Sequence, residues 1–212
     1  MSLPDRGGAG DTARGPLLVS DVGEATGGIS IAAAVAAIAA AGGLPALMVE
    51  AGTAPRPTRA TLLCSPAARE LERRLSTAGC GSAVARGAVC FLFLPAGDDL
   101  FERAAAAFEL VPPAGACVAF VAQGLWQDAL GDPELQPTGA LLNADLDRDR
   151  AMVALAVRDL HRRGLVVRVA SRTPGWAAAR RALAGLSAGG SEHPQLQRWS
   201  RLLLSSGERR RS

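Results

Sequence analysis

The chain has 212 residues, a mean hydropathy of +0.17 and 49% hydrophobic residues, enough to bury one sizeable core and too apolar to stay disordered. All 23 basic residues are arginine and tyrosine is absent, so Schiff-base chemistry, a lysine general base and the lysine of a standard phosphate loop are excluded. The net charge of +3 is concentrated in Arg209, Arg210 and Arg211, and no basic stripe interleaved with aromatics marks a nucleic-acid surface.

Residues 1–15 read as a loose tail without the apolar core of a signal peptide. A strand, Pro16–Ser20, then enters a glycine-rich loop, Asp21–Gly28, which opens an alanine-rich helix. The apolar run Ile29–Ala41 is 13 residues long, short of the roughly 20 a membrane span requires, and fits a buried helix. Gly42 and Gly43 stop it, and Leu44–Glu50 is a continuous apolar strand, as expected where both faces of a parallel sheet are covered. A proline-bearing linker, Ala51–Arg59, leads to a charged helix at Pro66–Thr77. Strands at Ala88–Leu94, Ala116–Val121, Gly139–Asn143 and Leu165–Ala170 then alternate with helices at Asp98–Leu110, Leu125–Leu130, Asp147–Arg163 and Trp176–Leu186.

Six strands alternating with helices, with no hairpin between them, predict a three-layer α/β domain over 16–190, a mostly parallel sheet with helices on both faces. In the helix Asp147–Arg163, Met152, Leu155, Ala156 and Leu160 recur at helical spacing and are expected to form its buried face. Cys64, Cys80, Cys90 and Cys117 lack metal or redox spacing and read as small core residues in a reducing compartment. His161 and His193 are too far apart for a zinc site with these cysteines. No serine-nucleophile elbow or zinc-protease motif is present.

The informative segment is SDVGEATGGIS, Ser20–Ser30. Strand, glycine-rich loop, alanine-rich helix, a Gly-Gly stop and a strand ending in an acid together resemble the ParA/MinD family of P-loop ATPases. The resemblance of layout extends over residues 16–186 and is specific in about the first 35 of them. It implies a P-loop NTPase-like fold in which Gly23 and Gly27 take glycine positions and Glu50 the strand-end acid. Gly28 then falls where the signature lysine stands, and Ile29 where the magnesium-binding threonine stands. Ser30 offers a hydroxyl one position away. Asn143, ending the ALLN strand, matches the family's late asparagine at the adenine, although Asn143 followed by Asp145 and Asp147 also reads as a turn former. The strand Ala88–Leu94 is the expected counterpart of the strand carrying the magnesium-binding aspartate, yet no carboxylate follows before Asp98.

These departures remove the lysine, the threonine and the aspartate of the reaction. Ser20–Ser30 contains no basic residue, while Asp21 and Glu24 place negative charge where a triphosphate would sit; like charges about 4 Å apart in partly screened surroundings cost about 4 kcal/mol each. The expectation is a non-hydrolysing homologue, a pseudo-ATPase without an obligatory cofactor, that binds, positions or regulates a protein partner, with homodimerisation open. ATP or ADP, if bound, is not hydrolysed. Three other readings stand beside it. The loop is a glycine turn required only by a tight reversal; Gly23, Gly27, Gly28 and Glu50 hold the cofactor of a Rossmann-type nucleotide or S-adenosylmethionine protein; or Glu24, Glu50 and Asp98 gather round a divalent ion rather than scatter over the surface.

Residues 191–212 form the last segment. Leu196, Trp199, Leu202 and Leu203 share one face at helical spacing, with Arg198 and Arg201 beside them. That pattern suits a final helix packed on the domain or a peripheral contact with an anionic membrane through Trp199, Leu202 and Leu203. The expected location is the cytoplasm, with that membrane contact as the second expectation.

Overall fold

The computed structural model describes residues 15–25, 27–41, 45–52 and 64–171. The expected N-terminal tail, the helix Trp176–Leu186 and the segment 191–212, with Trp199, Leu202 and Leu203, lie outside the described residues.

In chain order the elements are β1 Leu17–Val22, α1 Gly28–Ala41, β2 Ala46–Ala51, α2 Pro66–Thr77, β3 Ser82–Arg86, β4 Val89–Leu94, α3 Leu100–Glu109, β5 Ala116–Val121, a short turn of 3-10 helix at Gln123–Leu125, α4 Trp126–Gly131, β6 Gly139–Ala144, α5 Arg150–Arg162 and β7 Val166–Ser171. Seven strands pair in the order β3-β4-β2-β5-β1-β6-β7. Every pairing is parallel except β3 with β4. That hairpin departs from the expectation of none. Arg86 pairs with Val89, leaving Gly87 and Ala88 as a two-residue turn, and Gly87 takes the positive φ of 54° that such a turn demands at its first position.

Side-chain alternation divides the core between the two faces of the sheet. On one face Leu18, Leu47, Leu92, Ala119 and Leu142 pack with Leu71 and Leu75 of α2, Leu100 and Phe108 of α3, Trp126 of α4 and Leu160 of α5. On the other, Leu17, Val19, Met48, Val118, Phe120 and Leu141 meet the alanines of α1. Helices therefore cover both faces, the three-layer arrangement. The crossover from β1 to β2 runs one way across the sheet, and those from β4 to β5, β5 to β6 and β6 to β7 run the other. A single crossover handedness then requires α1 to lie opposite α3, α4 and α5.

The buried face of α5 is in part the one expected, with Ala156 and Leu160 towards the core, but Met152 and Leu155 lie outside it. Val153 and Leu160 are buried, with Ala156 and Val157 packed beside them, while Met152 is 45% and Leu155 56% exposed. Two adjacent stripes of this helix carry apolar residues, so periodicity alone leaves its rotation open; the loop by which it leaves β6 decides. That loop also delays the start of the helix to Arg150, because Asp145 accepts from Asp147 N at 3.1 Å through its side chain and from Asp149 N at 2.7 Å through its carbonyl.

Candidate functional site

β1 sends its helix to one face of the sheet, whereas its neighbours β5 and β6 send theirs to the other. A crevice beyond the strand ends is the usual result of such a reversal, and it is where ligands of open α/β sheets sit. In this chain the β1–α1 loop, with described residues 23–25 and 27, and the β6–α5 loop, residues 145–149, stand at those strand ends.

Asp21 holds the centre of this region. Its Oδ1 accepts from the backbone N–H of Gly28, in the first turn of α1, at 2.8 Å, and from Asn143 Nδ2 at 2.5 Å. Asp21 and Asn143 are register partners on β1 and β6, and Asn143 is 1% exposed. The positive end of a helix attracts an anion. In this chain that anion is its own carboxylate. Other amides of the loop are also spent internally: Ala25 donates to the Val22 carbonyl, and Ser30 and Ile31 to the Gly27 carbonyl.

Gly28 has no room for a side chain. A Cβ there would stand 2.8 Å from Asp21 Oδ1 and 3.0 Å from the Phe120 ring. Gly23 is as constrained. At φ +66° it lies against Asp149, whose Oδ1 would be 2.2 Å from a Cβ. Asp149 is 5% exposed and stands at the N-cap of α5 without capping it through its side chain. Gly27, at φ +116°, caps α1 through its carbonyl. Ile29 is half-buried against the α1 layer, and Ser30 is buried.

The remaining sequence-predicted residues are dispersed. Glu50 is buried at 4% exposure on β2, paired in register with Phe93 and Phe120, two strands or about 10 Å from β1. Asp98 follows β4, three strands or about 14 Å away. The divalent-ion cluster of Glu24, Glu50 and Asp98, the alternative to scattered carboxylates, does not assemble, and no group of three acids, histidines or cysteines suited to a metal occurs among the described residues. β4 stands three strands from β1. β5 and β6 flank the loop strand, and β5 ends in Val121.

Sequence reasoning missed two contributors from the β6–α5 loop, Arg148 and Asp149. Arg148 Nη1 meets Glu24 Oε2 at 3.3 Å, with the two side chains 71% and 82% exposed, a pair worth under about 1 kcal/mol. One arginine therefore does approach the loop, from more than a hundred residues away, already matched to a carboxylate. Its only sequence signal was the run DLDRD after Asn143, whose acids suggested a turn and the start of a helix. No helix among the described residues is long and apolar enough to cross a membrane.

No family model matches the chain, and no curated protein matches it.

Proposed function

We propose that this chain is a non-hydrolysing relative of the ParA/MinD-type P-loop ATPases that serves as a binding or positioning module for a protein partner. The observation that carries this reading is the Asp21 carboxylate on the Gly28 amide, in the place where such a loop receives phosphate. A triphosphate would have to displace Asp21 from the Gly28 amide and from Asn143 Nδ2. It would find no lysine and no room for one at Gly28. The strand order supports the same reading, since β5 stands between β1 and β2. A Rossmann half has its first two strands side by side, so that an acid ending the second reaches the ribose; β5 keeps Glu50 from that role, and the cofactor-binding alternative is the weaker one.

Calorimetry of the full chain with ATP and ADP, with and without Mg²⁺, followed by phosphate release, tests the proposal. The expected result is no phosphate release above the protein-free blank and no Mg²⁺-dependent heat of binding. Tight Mg²⁺-dependent ATP binding with turnover would overturn it. Heat with S-adenosylmethionine or NAD, and none with ATP, would favour the cofactor reading instead.

A further inference from the structure

Leu146, Met152 and Leu155 are the exposed large apolar side chains among the described residues, and all three belong to α5 or the loop that leads into it. Met152 and Leu155 are three residues apart and share one stripe of the helix. Charged residues continue that stripe in both directions, Arg148 and Asp145 towards its start, Asp159 and Arg162 towards its end. From Asp145 to Arg162 the spacings are three, four, three, four and three residues, the a and d positions of a heptad repeat. Asp145 precedes α5, but its carbonyl accepts from Asp149 N at 2.7 Å and the Asp149 carbonyl from Val153 N at 2.9 Å, so the helical winding reaches back to it. Arg150 and Arg158 stand off this stripe, and Arg163 is turned to the Leu130 carbonyl, to which it donates at 3.0 Å. Along the stripe the order is acid, base, Met, Leu, acid, base, which is complementary to its own reverse.

We propose that the outer face of α5 pairs antiparallel with the same face of a second copy of this chain. A two-fold axis crossing the helix between Val153 and Ala154 sets Met152 against Leu155 of the second copy, Arg148 against its Asp159 and Asp145 against its Arg162, and the symmetry makes each contact twice. Parallel pairing would set each charge against its like. In the antiparallel arrangement the apolar pairs lie at the centre and the charged pairs at the rim, the anatomy of a specific interface, in which methionine is favoured. Within one chain Arg148 meets Glu24 at 3.3 Å and Asp145 at 3.8 Å, and Asp159 meets Arg163 at 3.3 Å. All of these are exposed pairs that solvent screens, so exchanging them for contacts across the axis costs little. A single helix pair buries less than the roughly 1,200 Å² of a standard interface, so the dimer is expected to be weak and in rapid exchange. The pairing is independent of whether the β1–α1 loop binds any nucleotide.

Sedimentation velocity of the full chain, from micromolar concentration upwards, tests this. The expected result is a reversible monomer–dimer equilibrium that Met152→Glu combined with Leu155→Glu abolishes. Both side chains are exposed, so urea unfolding of that variant in dilute solution is expected to match that of the unaltered chain. Arg148→Glu sets an acid against Asp159 of the second copy, and Asp159→Arg sets a base against its Arg148. Each is expected to weaken the dimer about tenfold, the equivalent of about 1.4 kcal/mol. An equimolar mixture of these two variants is expected to dimerise as the unaltered chain does, because opposite charges then face each other in both contacts. A chain that stays monomeric up to millimolar concentration would overturn the proposal and leave the face to a different protein. A dimer that survives the Met152 and Leu155 changes would also overturn it, placing the contact on another face. So would a mixture no tighter than its components, which excludes the antiparallel register.

Discussion

Asp21 and Gly28 form a pair whose energetics can be measured. Asp21→Ala removes the acceptor for the Gly28 amide and for Asn143, both held by one oxygen, and is expected to cost about 1–3 kcal/mol by urea unfolding. Gly28→Ala brings a methyl against that oxygen and the Phe120 ring and is expected to cost about 1–3 kcal/mol through overpacking. In the double variant the carboxylate no longer obstructs the methyl, so the loss should fall short of the sum by 0.5 kcal/mol or more, about the smallest coupling seen between touching residues. Additive losses would show that the two residues do not meet. Gly23→Ala behaves differently, because relief of the contact with Asp149 leaves the φ of +66° unrelieved. It should remain destabilising by about 1 kcal/mol even in the background of Asp149→Ala. Asp21, Gly23 and Gly28 were conspicuous in the sequence as members of one loop. That Asp21 answers to Asn143, and Gly23 to Asp149, depends on β6 lying beside β1, which no local pattern encodes.

Elements were legible wherever their own residues set the period. α2 begins and ends where its sequence predicts, its first turn capped by Ser65 Oγ accepting from Ala68 N at 3.2 Å, and β5 has the bounds expected of it. The rotation of α5 was only partly legible, since the stripe expected to be buried, Met152, Leu155, Ala156 and Leu160, and the stripe that is, Val153, Ala156, Val157 and Leu160, share two residues and are about equally apolar. Leu160 is fully enclosed, and Leu160→Ala should cost about 2–5 kcal/mol in chemical denaturation. A loss under 1 kcal/mol would indicate that Leu160 is not packed in the core. The β3–β4 hairpin went unread because Gly-Ala is a weak turn signal and β3 is only five residues long.

For the whole molecule, the missing lysine and tyrosine turn alkaline stability into a test of the core. Without them, cysteine thiols are the side chains that titrate between pH 9 and 12. Burial in the sheet pushes the Cys90 thiol up to about 12, with the Glu72 carboxylate adding to the rise, and burial pushes Cys117 up to about 12. A thiol whose pKa is raised by folding contributes its full stability below the unfolded value of 9.0, and that contribution is lost as pH rises from there through the folded value. Stability should therefore be insensitive to these thiols up to pH 9 and fall towards pH 11 by on the order of 1–3 kcal/mol for Cys90, read as a falling melting temperature. Cys90→Ala should flatten that fall, and Cys90 should resist alkylation at pH 8 until the chain unfolds. Equal slopes for the two proteins would place the thiol in solvent. The sequence by itself determined the α/β class, the two-faced burial of its strands and a glycine-rich loop without positive charge, because these follow from residue type and from periodicities within a few turns of chain. Only the tertiary structure decided that β5 separates β1 from β2, that β4 and Glu50 stand away from the loop, and that Asp21 fills the helix end, because those outcomes rest on pairings between residues about a hundred positions apart. Such pairings follow from how whole strands order across a sheet, and the preferences of neighbouring residues do not specify that order.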